Sequence, residues 1–154
     1  TPDQFAFGDP VARYPRVEPP LQHQDEPAVQ GRMTPVPDLG ETSYRGTGRL
    51  EGHRALITGG DSGIGGATAI AFAREGADVA IVHRAGEEED AAHVLALIEA
   101  SGRRGFALAP QLLQQARLFG MRSPRGRLRL DGLFDRLQCL RQVATRRMHA
   151  RQVG

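Results

Sequence analysis

Apolar and polar positions alternate in blocks along this chain. Residues 1–48 hold most of its ten prolines and little apolar periodicity. Such a stretch buries too little surface to offset its own ordering, so it reads as an irregular, extended Pro-rich arm. From Leu50 the pattern changes. Arg54-Ala55-Leu56-Ile57-Thr58 is a short apolar run that stops at a glycine cluster, as a buried strand does. Gly63 to Glu75 follows as a helix, with Ile64, Ala67, Ala71 and Phe72 near one face and Gly76 as its stop. Val79-Ala80-Ile81-Val82 is a second buried strand. Glu87, Glu88, Glu89 and Asp90 open a second helix at the positive end of its dipole, and Ala91, Val94, Leu95 and Ile98 form its apolar stripe. Gly102 ends it, and Gly105 to Leu108 is a third strand. Strand, helix, strand, helix, strand is the signature of a parallel sheet with crossover helices.

Past Pro110 the pattern fades. Leu112 to Phe119 has helical spacing, 120–129 reads as loop, and Leu130 to about Met148 reads as a basic amphipathic helix. The division is thus an arm over 1–48, a βαβαβ unit over 49–110 and an Arg-rich tail over 111–154. Charge sharpens the last boundary. Residues 1–102 carry 8 Arg against 16 acids, whereas 103–154 carry 12 Arg against Asp131 and Asp135 alone. The net +2 therefore hides an acidic front and a basic tail.

Other absences narrow the chemistry. The 154 residues include no Lys and no Asn, so no mechanism within them uses an amine of the one or an amide of the other. A single cysteine, Cys139, excludes an internal disulfide and a cysteine-cluster metal site. No run of 18 apolar residues is present, and no charged-then-apolar leader opens the sequence, so no membrane association and a cytoplasmic location are expected.

One constellation carries specific chemistry: Thr58-Gly59-Gly60-Asp61-Ser62-Gly63-Ile64-Gly65, placed between a strand and a helix. A helix N-terminus offers unpaired N–H groups and partial positive charge, which suits a pyrophosphate. Glycine permits the sharp turn and the close approach of backbone to phosphate, and Ser62 adds a hydroxyl. The competing reading is a tight strand-to-helix turn with no ligand. The strand before, the helix after and the second strand at the expected distance all favour the ligand.

Thr-Gly-x-x-x-Gly-x-Gly at 58–65 resembles the fingerprint of the short-chain dehydrogenase/reductase family. The wider run resembles a bacterial branch with a Pro-rich arm: Ser43 to Gly46, Gly48 to Leu50, Ala55 to Gly65, Ala69 to Ile81, and the acidic run to Ala91. The resemblance covers roughly residues 33–109. It implies a Rossmann-type α/β fold, here a partial parallel sheet of three strands, and a nicotinamide dinucleotide that exchanges hydride with a small carbonyl or alcohol substrate. It also implies that Thr58, Gly59, Asp61, Ser62, Gly63, Ile64 and Gly65 face the cofactor, together with His83 and Arg84 at the second strand's exit. An acid at that exit favours NAD and an arginine favours a 2′-phosphate. His83 and Arg84 stand there, so NADP is expected to be preferred, with NAD still possible. The competing readings are a solvated charge for Arg84 and a surface histidine for His83.

The resemblance stops near residue 110. The family's third strand ends in Gly-Asp, where this chain has Pro110-Gln111; many relatives carry Arg or Lys where it has Gly66. The family's Asn-Asn-Ala-Gly strand end, catalytic Ser and Tyr-x-x-x-Lys helix have no counterpart, so no catalytic residue is assigned. A shifted reading frame in GC-rich DNA would produce such an Arg-rich tail, and translation of the gene in all frames tests that hypothesis. Alternatives are a non-catalytic remnant or a basic-tailed nucleic-acid-binding module. The tail lacks the Trp and Tyr of base-stacking surfaces, which argues against nucleic acid. Oligomeric state and substrate identity stay open.

Overall fold

The computed structural model describes residues 4–9, 12 and 16–109, and positions 132, 134, 135 and 137. The expected helix over 112–119 lies outside the described residues. So does the basic helix from 130, apart from those four positions, which are helical. The chain divides into two compact units, Thr1–Pro110 and Gln111–Gly154; the architecture below is that of the first.

Three strands, β1 (Arg54–Thr58), β2 (Asp78–Val82) and β3 (Gly105–Leu108), alternate with two helices, α1 (Gly63–Arg74) and α2 (Glu88–Ala100). The sheet order is β1-β2-β3 and both pairings are parallel. Arg54 pairs with Asp78 and Thr58 with Val82; Val79 pairs with Gly105 and Val82 with Leu108. The central β2 is buried at every position, which is why it reads as an unbroken apolar run and not as an alternation. The fold is therefore a partial Rossmann-type α/β sheet.

Ala69, Ile70 and Ala73 of α1 and Ala91, Val94 and Ile98 of α2 meet Val79 and Ile81 of β2 in one core cluster. Each fully buried Ile or Val there contributes roughly 1.5–3 kcal/mol. Ile64 is the exception to the expected apolar face: it is 90% exposed. It occupies the first turn of α1, beyond the end of the strands, where the helix has no sheet beneath it. Ala71, also expected inside, is only half-buried; the buried face runs through Gly66, Ala69, Ile70 and Ala73.

The arm departs from its composition in one respect. Val29 and Leu39 are buried, and Leu39 joins the core cluster of its own chain. A short 3-10 helix, Gln30–Arg32, interrupts the extended stretch. Asp90 at the start of α2 accepts the N–H groups of Gln30 (2.5 Å) and Gly31 (3.0 Å). The Arg74 guanidinium donates to the carbonyls of Gly40 and Tyr44, at 2.8 and 2.6 Å, and to that of Glu41. Buried polar groups thus anchor a segment whose apolar pattern predicts no docking.

At the far end of α1, Glu75 is nearly buried. Its carboxylate accepts bonds from the Tyr44 hydroxyl (2.5 Å), the Thr47 and Arg49 N–H groups (2.9 and 3.0 Å) and the Arg49 guanidinium (2.7 Å). Arg49, and after it Tyr44, hold the Glu75 carboxyl far below the usual carboxylate range. Asp78, at the start of β2, is raised by burial but lowered more by Arg104, which bonds it at 2.6 Å, so its net shift is downward.

Candidate functional site

β1 ends at Thr58 and the chain turns sharply. The Gly59 N–H donates to the Val82 carbonyl at 2.8 Å, which hangs the turn on the end of β2. Ser62 is the N-cap residue, in extended conformation, and Gly63 opens α1 with φ +51°, the left-handed region that favours glycine. Gly65 is required for a different reason: a Cβ there would collide with the Gly59 carbonyl oxygen. The glycine turn therefore closes tightly and leaves the first N–H groups of α1 pointing past the carboxyl end of the sheet.

Beside this turn lies a cleft of about 270 Å³, lined by Gly59, Asp61, Ser62, Val82, His83, Arg84 and Glu87. It brings together five of the nine expected site residues, from two separate segments. Thr58, Gly63, Ile64 and Gly65 belong to the same turn but do not line the cleft.

Asp61 is 2% exposed, and its Oδ1 has no hydrogen-bond partner. A buried carboxylate oxygen left without a donor costs on the order of 1–3 kcal/mol, so it marks a place where a donor from a ligand would be gained. His83 is 8% exposed, which corrects the reading of it as a surface histidine. Its backbone N–H still bonds to Leu108 of β3, so the side chain leaves from inside the sheet. Its Nδ1 lies 2.9 Å from the Arg84 carbonyl oxygen.

Arg84 is largely exposed. Its guanidinium stands 3.5 Å from Glu26 of the arm, and its N–H donates to Glu87 Oε2 at 2.9 Å. Pattern reading finds no acid at the β2 exit, yet Glu87 folds back over Ala85-Gly86 to line the cleft. A turn signal three residues ahead of an acid is the clue that could have found it. Gln30 carries no such signal. Its Oε1 accepts the Gly63 N–H at 2.7 Å, across 33 residues of sequence.

Among the described residues, no tyrosine lines the cleft. Tyr44 sits at the opposite end of α1, and its hydrogen bond to Glu75, aided by burial, pushes its hydroxyl above the ordinary tyrosine range. Among the described residues, no group of three or more His, Cys, Asp or Glu side chains could hold a metal ion. No described helix is long and apolar enough to cross a membrane.

Residues 53–118 match the model of the short chain dehydrogenase family. This stretch of the chain resembles that family. The chain is 55% identical over 104 residues to an uncharacterized oxidoreductase, YghA, of Escherichia coli (strain K12), covering 68% of this chain and 35% of that protein. It is 50% identical over 108 residues to the uncharacterized oxidoreductase YhxD of Bacillus subtilis (strain 168), covering 70% and 36%. The chain spans about a third of the length of these relatives. A solved short chain dehydrogenase from Burkholderia cenocepacia J2315, in complex with NADP, is 52% identical over 40% of this chain and 24% of that one, with a TM-score of 0.36.

Proposed function

We propose that residues 49–110 are the dinucleotide-binding unit of an NAD(P)-dependent oxidoreductase of the short-chain type, acting on a small carbonyl or alcohol. The observation that carries this is the pairing of the glycine turn with the buried, unpartnered Asp61 Oδ1 in one cleft at the carboxyl end of the sheet. The turn supplies backbone donors and a helix N-terminus for a pyrophosphate. Asp61 supplies an acceptor for a ribose hydroxyl. The remaining expected residues, Thr58, Gly59, Ser62, Gly63, Ile64, Gly65 and His83, are proposed to surround the same ligand. Ile64 offers the exposed apolar surface on which an uncharged part of it would rest.

When bound, the nicotinamide accepts or gives the hydride. This chain's residues bind and orient the adenosine diphosphate portion. Arg84 is the residue proposed to read the 2′-phosphate, which favours NADP over NAD. Glu87 works against it, since its carboxylate lines the same cleft.

Proton transfer to the carbonyl oxygen is a separate requirement, typically worth about 10² to 10⁴ in rate. In this sequence, Tyr44 is committed to Glu75 and no Lys is present to lower a tyrosine's pKa. The 154-residue chain is therefore proposed to bind dinucleotide without turning it over.

Titration of the chain with NADP⁺ and NAD⁺ by calorimetry tests the reading. Binding of both, with NADP⁺ tighter, is expected. A folded chain that binds neither would overturn it.

A further inference from the structure

The arm meets the glycine turn at one point and the lining of the proposed dinucleotide cleft at another. Gln30 places a neutral oxygen 2.7 Å from the Gly63 N–H, the opening amide of α1. Glu26, four residues earlier, places a carboxylate 3.5 Å from the Arg84 guanidinium. Between them, Pro27 packs directly over Gly86, the Val29 side chain is buried and its N–H donates to Gln24 Oε1 at 3.1 Å. Asp90 then fixes the next two N–H groups. The spacing is therefore held from both sides.

Both contacts have the same chemical character. Each is an acceptor oxygen seated on a donor that a phosphate would use: Gln30 on the pyrophosphate donor, Glu26 on the 2′-phosphate donor. Nearby, the buried Asp61 Oδ1 has no partner, so the arm takes the phosphate donors and leaves the acceptor unused.

We propose that the arm is an internal competitor for the dinucleotide, with Gln30 imitating a pyrophosphate oxygen and Glu26 imitating the 2′-phosphate, so that Glu26 is a specificity-determining residue set against NADP. This rests on the dinucleotide reading above. A bound phosphate must displace the Gln30 oxygen from Gly63, and displacing Glu26 from Arg84 is required only of a ligand with a 2′-phosphate. The arm thus weakens both cofactors and narrows the difference between them.

The test is calorimetric titration of the full chain, unmodified and in variants, with NADP⁺ and NAD⁺ at low ionic strength. Gln30→Ala removes one hydrogen bond that opposes binding, and both ligands should bind about 2- to 10-fold more tightly. Gln30→Glu holds the N–H more strongly and repels the pyrophosphate, so both should bind more weakly. Glu26→Gln should strengthen NADP⁺ binding by about 2- to 5-fold, the scale of an exposed ion pair, and leave NAD⁺ unchanged. That gain should vanish when Arg84→Ala is added. Opposite signs for Ala and Glu at one position separate competition from a loss of folding.

Gln30→Ala that binds either ligand no better than the unmodified chain, or Glu26→Gln that shifts both ligands equally, would overturn the proposal while leaving the cofactor reading intact. A folded, unmodified chain that binds neither ligand overturns both.

Discussion

Arg84 and Gly65 illustrate two ways a single residue shapes this site. Arg84 acts by charge: its side chain is exposed, it faces Glu26, and it lines the cleft with Glu87. Arg84→Ala is expected to erase the preference for NADP⁺ and leave NAD⁺ affinity unchanged, as read by parallel titrations. Gly65 acts by volume, because any Cβ meets the Gly59 carbonyl. Gly65→Val should cost at least about 1–3 kcal/mol of stability, the usual penalty for forcing atoms into a packed position, measurable by urea unfolding. The glycines were legible in the sequence because their constraint is local. Ile64 was misread for the same reason: helical spacing gives the angle of a side chain but not whether a sheet lies beneath that turn. His83 was misread because one residue past an apolar run looks like surface, whereas β3 extends far enough to hold its backbone.

At the scale of elements, β1, α1, β2, α2 and β3 follow from patterns of fewer than fifteen residues. Continuous apolar runs between glycines, and stripes at helical spacing, define each of them before any contact is known. Packing then fixes their worth. Ile98 is fully buried in the cluster that joins α2 to β2, so Ile98→Ala should destabilise the unit by about 2–5 kcal/mol. Ile64→Ser, by contrast, should change stability by no more than about 0.5 kcal/mol in the same urea experiment, because that side chain is solvated. The arm was the element least legible in the sequence. Its attachment depends on carboxylates and a guanidinium reaching backbone groups tens of residues away, and neither composition nor periodicity encodes that. Arg74 alone holds three carbonyls of the 40–44 turn, a geometry that suits the planar fork of arginine and not an ammonium.

For the whole molecule, two consequences are measurable. The first concerns acid. Glu75 and Asp78 both have folded-state carboxyls shifted below their ordinary values. A depressed carboxylate stabilises the folded state fully above its unfolded pKa, and that contribution is lost as pH falls toward the folded one. Stability should therefore begin to fall below about pH 5 and go on falling until the strongly depressed Glu75 carboxyl is protonated. Glu75→Gln should be less stable at neutral pH and show a shallower fall, by chemical denaturation at several pH values; equal slopes would contradict the assignment. The second concerns turnover: the chain should show no change in reduced-nicotinamide absorbance with a panel of aldehydes, ketones and alcohols. Turnover abolished by Gly63→Trp would overturn this expectation.

The Gln30 contacts also order events in time. They join residues 33 and 60 positions apart, and their partners, Gly63 and Asp90, stand at the first turns of two different helices. Neither partner is in place until its helix has formed, and closing such long loops costs entropy that only the finished contacts return. Docking of this segment is thus expected as a late step of folding, and its detachment as a local opening short of global unfolding. Amide hydrogen exchange at Gln30 and Gly31 should then be faster than at Val79 and Ile81 in the central strand, and should register departure of the arm while the sheet stays intact.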